Sequence, residues 1–462
     1  VTAARRLGRL GLATLVAFVA VGAAPALAVE PPIIAPGALP PGGAAAPPEP
    51  TDQKLLCAKP TTAPGTDYLE PSPGQAMLEL ATAWKFSRGA GQTVAVIDTG
   101  VTRHPRLPRV QPGGDYVSTG DGTADCDGHG TLVAGIIAAQ PSASDAFAGV
   151  APDASIIAIR QTSAAFEKRS PARGSESGAI GTGYGSVRTM ASAVLRAVEL
   201  GATVINISEV ACAAAGTDLR DQSLGAAIRY AYDHNVVVVA AAGNLGADSS
   251  CATQNPPAVA GHGWDAVATV ASPAWFAPQL LTVGAVDSRT GRPAGFSLHG
   301  PWVSVAAPGT GIVSLDSAPG SGHLVNAQPG RDGLVTIDGT SFAAPYVAGV
   351  AALVRAKYPS LTAAEVIDRI TATAHAPGTG RDDAIGYGVI DAVAALTDQI
   401  PREHRSDTAG RAIDPPAPAT GNGGVARVVA ISGAVGCLLA VVAAVAISAP
   451  RNRRRRLRPD EY

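Results

Sequence analysis

The chain has 462 residues, of which 46% are hydrophobic and 16% charged, too apolar for a chain disordered throughout and long enough to bury a large core. Lys plus Arg number 35 and Asp plus Glu 37, so a net charge of −2 removes any global case for nucleic-acid binding. The average conceals a segregation: arginines crowd the two ends, and residues 29–449 carry nine more acidic than basic side chains.

In chain order, Arg5, Arg6 and Arg9 precede an apolar run from Leu10 to about Ala24 and the small triplet Ala26-Leu27-Ala28, the pattern of a secretory signal over 1–28. Residues 29–56 form a Pro-rich N-terminal extension, with eight prolines in 31–50, a composition that packs no core and predicts extended or disordered chain. The globular domain is expected over 57–400, the extension continuing to about 90. Within it, Val- and Ile-rich runs at 94–97, 155–159, 203–207, 236–240 and 281–285 alternate with Ala-rich stretches of helical period at 187–200, 220–234 and 342–356. Continuous apolar strands separated by helices predict an α/β fold, a parallel sheet flanked by helices on both faces. Residues 161–186, rich in Ser, Gly, Arg and Glu, read as a long surface loop.

Residues 401–424 read as a Pro/Gly-rich stalk. The segment 425–449 contains an uncharged run, Val428–Ala449, of 22 residues. As a helix it would be ~33 Å long, enough to cross the hydrocarbon core. Six arginines between 451 and 458 follow, and such a cluster stays cytoplasmic. The sequence thus predicts one transmembrane helix, a basic tail over 450–462 and an extracytoplasmic body, with Ser432 and Gly436 forming a small face for helix packing. Cys437 lies in the apolar run; Cys57, Cys126, Cys212 and Cys251 suit two disulfides in an oxidising compartment, with three pairings open.

Chemistry in such sheets gathers at the C-terminal ends of the strands. The run Thr93–Ile97 leads straight into Asp98-Thr99-Gly100, and Asp127-Gly128-His129-Gly130-Thr131 precedes an apolar helix. The strand around Val239 ends in Gly243-Asn244, and Gly339-Thr340-Ser341 opens a long small-residue helix. Taken singly, each has a plain structural role as a turn, a cap or a solvated histidine. Together they supply an orienting carboxylate, a base, an amide donor and a hydroxyl nucleophile whose helix N-terminus suits an oxyanion.

VAVIDTGV, DGHGT, AAAGN and GTSFAAPYVAG resemble the four signatures of the subtilisin-like (S8) serine proteases, in that family's order. GVAPDASIIAIR, ATVINIS and FSLHGPWVSVAAPG extend the likeness over roughly 90–400. Within the family, the signal, extension, cysteine set, stalk, C-terminal helix and basic tail resemble the mycosins, membrane-anchored proteases associated with type VII secretion. The resemblance implies catalytic Asp98, His129 and Ser341 with Asn244 in the oxyanion hole, and no metal or cofactor. It also implies an extended substrate between Gly181-Thr182-Gly183 and Asn206-Ile207-Ser208, and favours the pairings Cys57–Cys126 and Cys212–Cys251. The implied partners are exported protein substrates and the type VII secretion membrane complex.

Departures from the family pattern are Phe342 and Tyr346 in place of Met and His, and Glu209 where Leu is usual, which would narrow or charge the primary specificity pocket. A second Asp-Thr/Ser-Gly, needed for an aspartic protease, is missing, and Ser341 does not sit in Gly-x-Ser-x-Gly. The competing reading is a structural component of the secretion complex with secondary proteolysis.

Overall fold

Seven parallel strands make the central sheet: β1 (Thr93–Asp98), β2 (Val110–Asp115), β3 (Ser155–Arg160), β4 (Val204–Ile207), β5 (Val237–Ala241), β6 (Leu281–Val286) and β7 (Val305–Pro308). Their order across the sheet is β7-β6-β5-β4-β1-β3-β2. The chain runs from β1 to one edge and then returns to build the other, so β1 and β4 flank a topological switch point where a cleft opens at the strand C-termini. This computed structural model describes residues 29–170, 178–181, 183–246, 250–256 and 263–400. The signal, stalk, membrane segment and basic tail expected from the sequence lie outside them; among the described residues no helix is long and apolar enough to cross a membrane.

Strand alternation divides the core into two layers. Val94, Val96, Val204, Val237 and Val239 point to one face, beneath α1 (His129–Ala138) and α4 (Thr340–Lys357). Ala95, Ile97, Ile205, Ile207 and Val238 point to the other, beneath α2 (Val187–Glu199) and α3 (Gln222–Asp233). Strands apolar on both faces are what a sheet covered on both sides requires, and the expected α/β architecture is observed. The helix α4 is buried along nearly its whole length, from Thr340 to Arg355, and crosses under β4 to β7; α5 (Ala363–Ala372) and α6 (Ala392–Thr397) pack beside it. Both α2 and α5 begin with reciprocal caps, Ser186 with Thr189 and Thr362 with Glu365.

The N-terminal extension does more than its composition predicts. Thr51–Gln53 pairs antiparallel with Phe166–Lys168, so the first part of the expected 161–186 loop is a strand clasping the extension. Arg169 adds an ion pair to Asp52 at 3.0 Å, and Thr61 bridges Ala327. Further back, Val29, Ile34 and Ala45 pack on the α2/α3 layer. Prolines remove N–H donors without preventing apolar contact, so an extended chain wraps a surface it cannot itself build. Disulfides join Cys57 to Cys126 and Cys212 to Cys251, the two pairings that the family likeness implies.

Candidate active site

Asp98 is the last residue of β1 and fully buried, and His129 is the first residue of α1. His129 Nδ1 meets Asp98 Oδ1 at 2.7 Å. Contact between these segments depends on Gly130: a Cβ there would lie 2.0 Å from the Gly100 carbonyl oxygen and 3.1 Å from Asp98 Cβ. The Thr99 N–H donates to the same Asp98 oxygen at 2.8 Å and fixes the carboxylate.

A second carboxylate, the half-buried Asp125, organises the start of α1. It accepts from Thr99 Oγ1 (2.8 Å), Gly128 N (2.8 Å), Thr131 N (2.8 Å) and Thr131 Oγ1 (2.6 Å). Burial pushes its carboxyl upward, against the Thr131 and Thr99 hydrogen bonds that favour the anion. Thr99 Oγ1 in turn accepts from Gly130 N at 2.9 Å, so Asp98 and His129 are locked together through Thr99 and Asp125. Sequence reasoning missed this bracket; its signal was an Asp four residues before His129 with Thr131 two residues after it.

Ser341 lies in the first turn of α4 and is 7% exposed. Helical geometry gives its N–H no acceptor in that turn. Asn244 follows β5, and its Oδ1 accepts from Thr340 N at 2.8 Å and Thr340 Oγ1 at 3.0 Å. With the oxygen so held, the amide nitrogen turns toward Gly339: a Cβ at Gly339 would lie 3.3 Å from Asn244 Nδ2 and 2.9 Å from Ser341 Oγ. The hydroxyl and the amide donor therefore border one small space that only glycine leaves open. Phe342 brings α4 to the imidazole, its ring centroid 4.9 Å from that of His129.

The two expected substrate segments differ. Asn206 and Ile207 are fully buried and Ser208 nearly so, Asn206 Nδ2 donating to Ser208 Oγ at 2.8 Å and Ser208 Oγ to the Ser341 carbonyl at 2.6 Å. Ser208 holds the Ser341 turn, and these buried side chains leave only main chain for a ligand. Gly181 and Gly183 both have positive φ; Tyr184 pairs with Ser163, and Asp127 accepts from Ser163 Oγ and from Ala164 N at 2.9 Å, tethering that segment beside His129. Thr182 lies outside the described residues. A cavity of about 290 Å³ borders His129 and Phe342, with Ala58, Lys59 and Pro60 of the extension, next to the Cys57–Cys126 bridge, forming a wall.

Glu209 turns its carboxylate toward the imidazole, Oε1 standing 3.7 Å from His129 Nδ1. Burial opposes charge on His129, but Asp98, Glu209 and Asp125 outweigh it and raise its pKa above 6.5. Burial also raises the Glu209 carboxyl, with His129 opposing and Asp98, Asp127 and Asp125 adding to the effect. Asp98, His129 and Glu209 are the described group whose potential metal-ligand atoms lie within 4.8 Å of one another. Because Asp98 already occupies Nδ1, the group reads as a hydrogen-bonded pair with a neighbouring carboxylate.

The subtilase family model, Peptidase S8, matches residues 89–388. Mycosin-1 of Mycobacterium tuberculosis (strain ATCC 25618 / H37Rv) is 51% identical over 84% of this chain and 86% of its own length. Mycosin-4 of the same organism is 46% identical over 99% of this chain and 98% of its own. Among solved structures, a chain of an intact ESX-5 inner membrane complex superposes with a TM-score of 0.76 at 43% identity, covering 91% of this chain and 100% of that one. The chain belongs to the subtilase family and, within it, to the mycosins, and is a serine endopeptidase.

Proposed function

We propose that this chain is a membrane-anchored endopeptidase that cleaves exported proteins outside the cytoplasmic membrane, in association with a type VII secretion complex. One observation carries the catalytic reading: the 2.7 Å contact of His129 with Asp98, the imidazole packed on Phe342, whose chain neighbour Ser341 shares with Asn244 Nδ2 the space beside Gly339. With Nδ1–H donated to Asp98, His129 Nε2 holds the lone pair that accepts the Ser341 proton as Oγ attacks the scissile carbonyl. The tetrahedral oxyanion is bound by Asn244 Nδ2 and the Ser341 N–H; losing one such donor costs about 3–4 kcal/mol in the transition state. His129 then returns the proton to the leaving amine, and water repeats the sequence on the acyl-enzyme. Substrate would lie extended between Gly181-Thr182-Gly183 and Asn206-Ile207-Ser208, held through main-chain hydrogen bonds.

The uncharged run Val428–Ala449 and the arginines beyond it support a single-pass anchor with a cytoplasmic C-terminus. Likeness to a chain solved within the ESX-5 inner membrane complex supports association with such a complex, and favours a second reading in which the chain also braces it. Comparison of exported proteins from cells with wild-type chain, Ser341→Ala or no chain tests both. Loss of cleaved termini in the point variant, with a broader secretion defect in the deletion, is expected. Unchanged termini in the point variant would reject proteolysis of exported proteins; identical defects would reject bracing.

A further inference from the structure

Glu209 directly follows Ser208, beyond the end of β4, and is only 19% exposed at its side chain. Its Oε1 lies 3.7 Å from His129 Nδ1, the same nitrogen that meets Asp98 Oδ1 at 2.7 Å. Nδ1 carries one hydrogen, the Asp98 contact takes it, and 3.7 Å is beyond a hydrogen bond. Glu209 therefore acts on the ring through charge alone. Among the described residues it makes no hydrogen bond, and its one ion-pair contact is His129.

The other charged groups facing the imidazole are differently placed. Asp98 comes from β1, and Asp125 and Asp127 from the turn before α1; each is held by donors from Thr99, Gly128, Thr131, Ser163 or Ala164. From the extension, Lys59 lines the cavity next to the ring, and from α4 the contact is the uncharged Phe342. Glu209 is thus the carboxylate at this site with no structural partner to satisfy.

We propose that Glu209 serves as a second carboxylate for His129, an electrostatic positioning residue that tunes when the imidazole can accept the proton of Ser341. This rests on the catalytic reading above. An anionic Glu209 favours the imidazolium in two states. In the resting enzyme it keeps the base occupied to higher pH, and in the transition state it stabilises the charge that forms as Ser341 attacks. The imidazole is raised in part by Glu209, as such a pair requires; burial raises the Glu209 carboxyl, and the His129 charge opposes that rise. An apolar residue here would free the base at lower pH and give up part of the transition-state stabilisation.

The test labels Ser341 with a fluorophosphonate, which needs no peptide substrate, and follows the second-order rate from mildly acidic to alkaline pH. Full-length wild type, Glu209→Gln and Glu209→Leu are compared. The midpoint of the acid limb should fall by roughly one pH unit in both variants, and the alkaline plateau should drop by up to about tenfold. A midpoint that stays in place, even with a lower rate at every pH, overturns the proposal and leaves Glu209 a merely structural residue. NMR titration of the His129 imidazole in Ser341→Ala, with and without Glu209→Gln, reads the same shift without any reaction. A wild type that is never labelled at Ser341 rejects the catalytic reading instead, and an unmoved NMR midpoint then rejects this inference too.

Discussion

Ser208 Oγ donates a hydrogen bond of 2.6 Å to the main-chain carbonyl of Ser341. In an uninterrupted helix that carbonyl would accept from the N–H four residues on, but that residue is Pro345, inside α4, and it has none. Ser208 supplies the missing donor, so the Ser341 turn is anchored to the end of β4. Ser208→Ala should orphan a buried carbonyl and cost about 1–3 kcal/mol of stability. Calorimetry should show the lower melting temperature, and peptide hydrolysis a fall in kcat larger than any change in KM. A variant as stable and as active as wild type would show that this bond does not position Ser341.

The Cys57–Cys126 disulfide closes 69 residues and ends three residues before His129. In the chain-entropy model such a loop contributes roughly 4 kcal/mol. Replacing both cysteines by Ala should lower the melting temperature and expose the 51–63 stretch to limited proteolysis, because a short strand pair and a few ion pairs then hold the extension. Equal protease resistance with and without the bridge would show that the extension is held by its packing alone.

Stability should depend on pH in a definite direction. A group whose pKa is higher in the folded than in the unfolded chain stabilises the fold below its unfolded value, and that contribution is lost as pH rises through the folded value. For His129 the loss begins above 6.5, and for Glu209 above 4.5. The melting temperature of the Ser341→Ala protein, which avoids self-digestion, should fall across neutral to alkaline pH. His129→Ala and Glu209→Gln should each flatten the curve. A curve unchanged by either replacement would separate these residues from the pH dependence.

Much of this was legible because the signals are local. The apolar runs at 94–97, 155–159, 203–207, 236–240 and 281–285 are β1, β3, β4, β5 and β6, where burial on both faces favours runs dominated by Val, Ile and small side chains. The helices expected at 187–200, 220–234 and 342–356 are α2, α3 and α4 to within two residues at each end. Edge strands β2 and β7 were not expected: β2 reads Val-Gln-Pro-Gly-Gly-Asp and shifts register between Pro112 and Gly114, which an edge tolerates and an interior strand does not. Asp98 and His129 were readable from their motifs. The Asp125 bracket and the Glu209 contact were not, since they depend on how three distant segments meet at the switch point.

The proposed membrane topology gives its own expectation. Protease added to spheroplasts should cut within 401–424 and release a soluble fragment, while an epitope placed after Arg458 stays protected. Digestion of that epitope in intact spheroplasts would reverse the orientation.

The central claim is that Ser341 is the nucleophile. Its helix is packed by residues beyond it, including Ala343, Ala344 and Val347, all buried, so Ser341→Ala removes one hydroxyl and leaves the core intact. The most direct measurement is mass-spectrometric mapping of a serine-directed fluorophosphonate on wild type and Ser341→Ala, with circular dichroism to confirm that both are folded. The account predicts a single adduct on Ser341 in wild type and none in the folded variant. Asp98→Asn and His129→Ala, with Ser341 intact, should each be labelled more slowly by orders of magnitude. An adduct on another serine, or wild-type labelling of the folded Ser341→Ala protein, would contradict it.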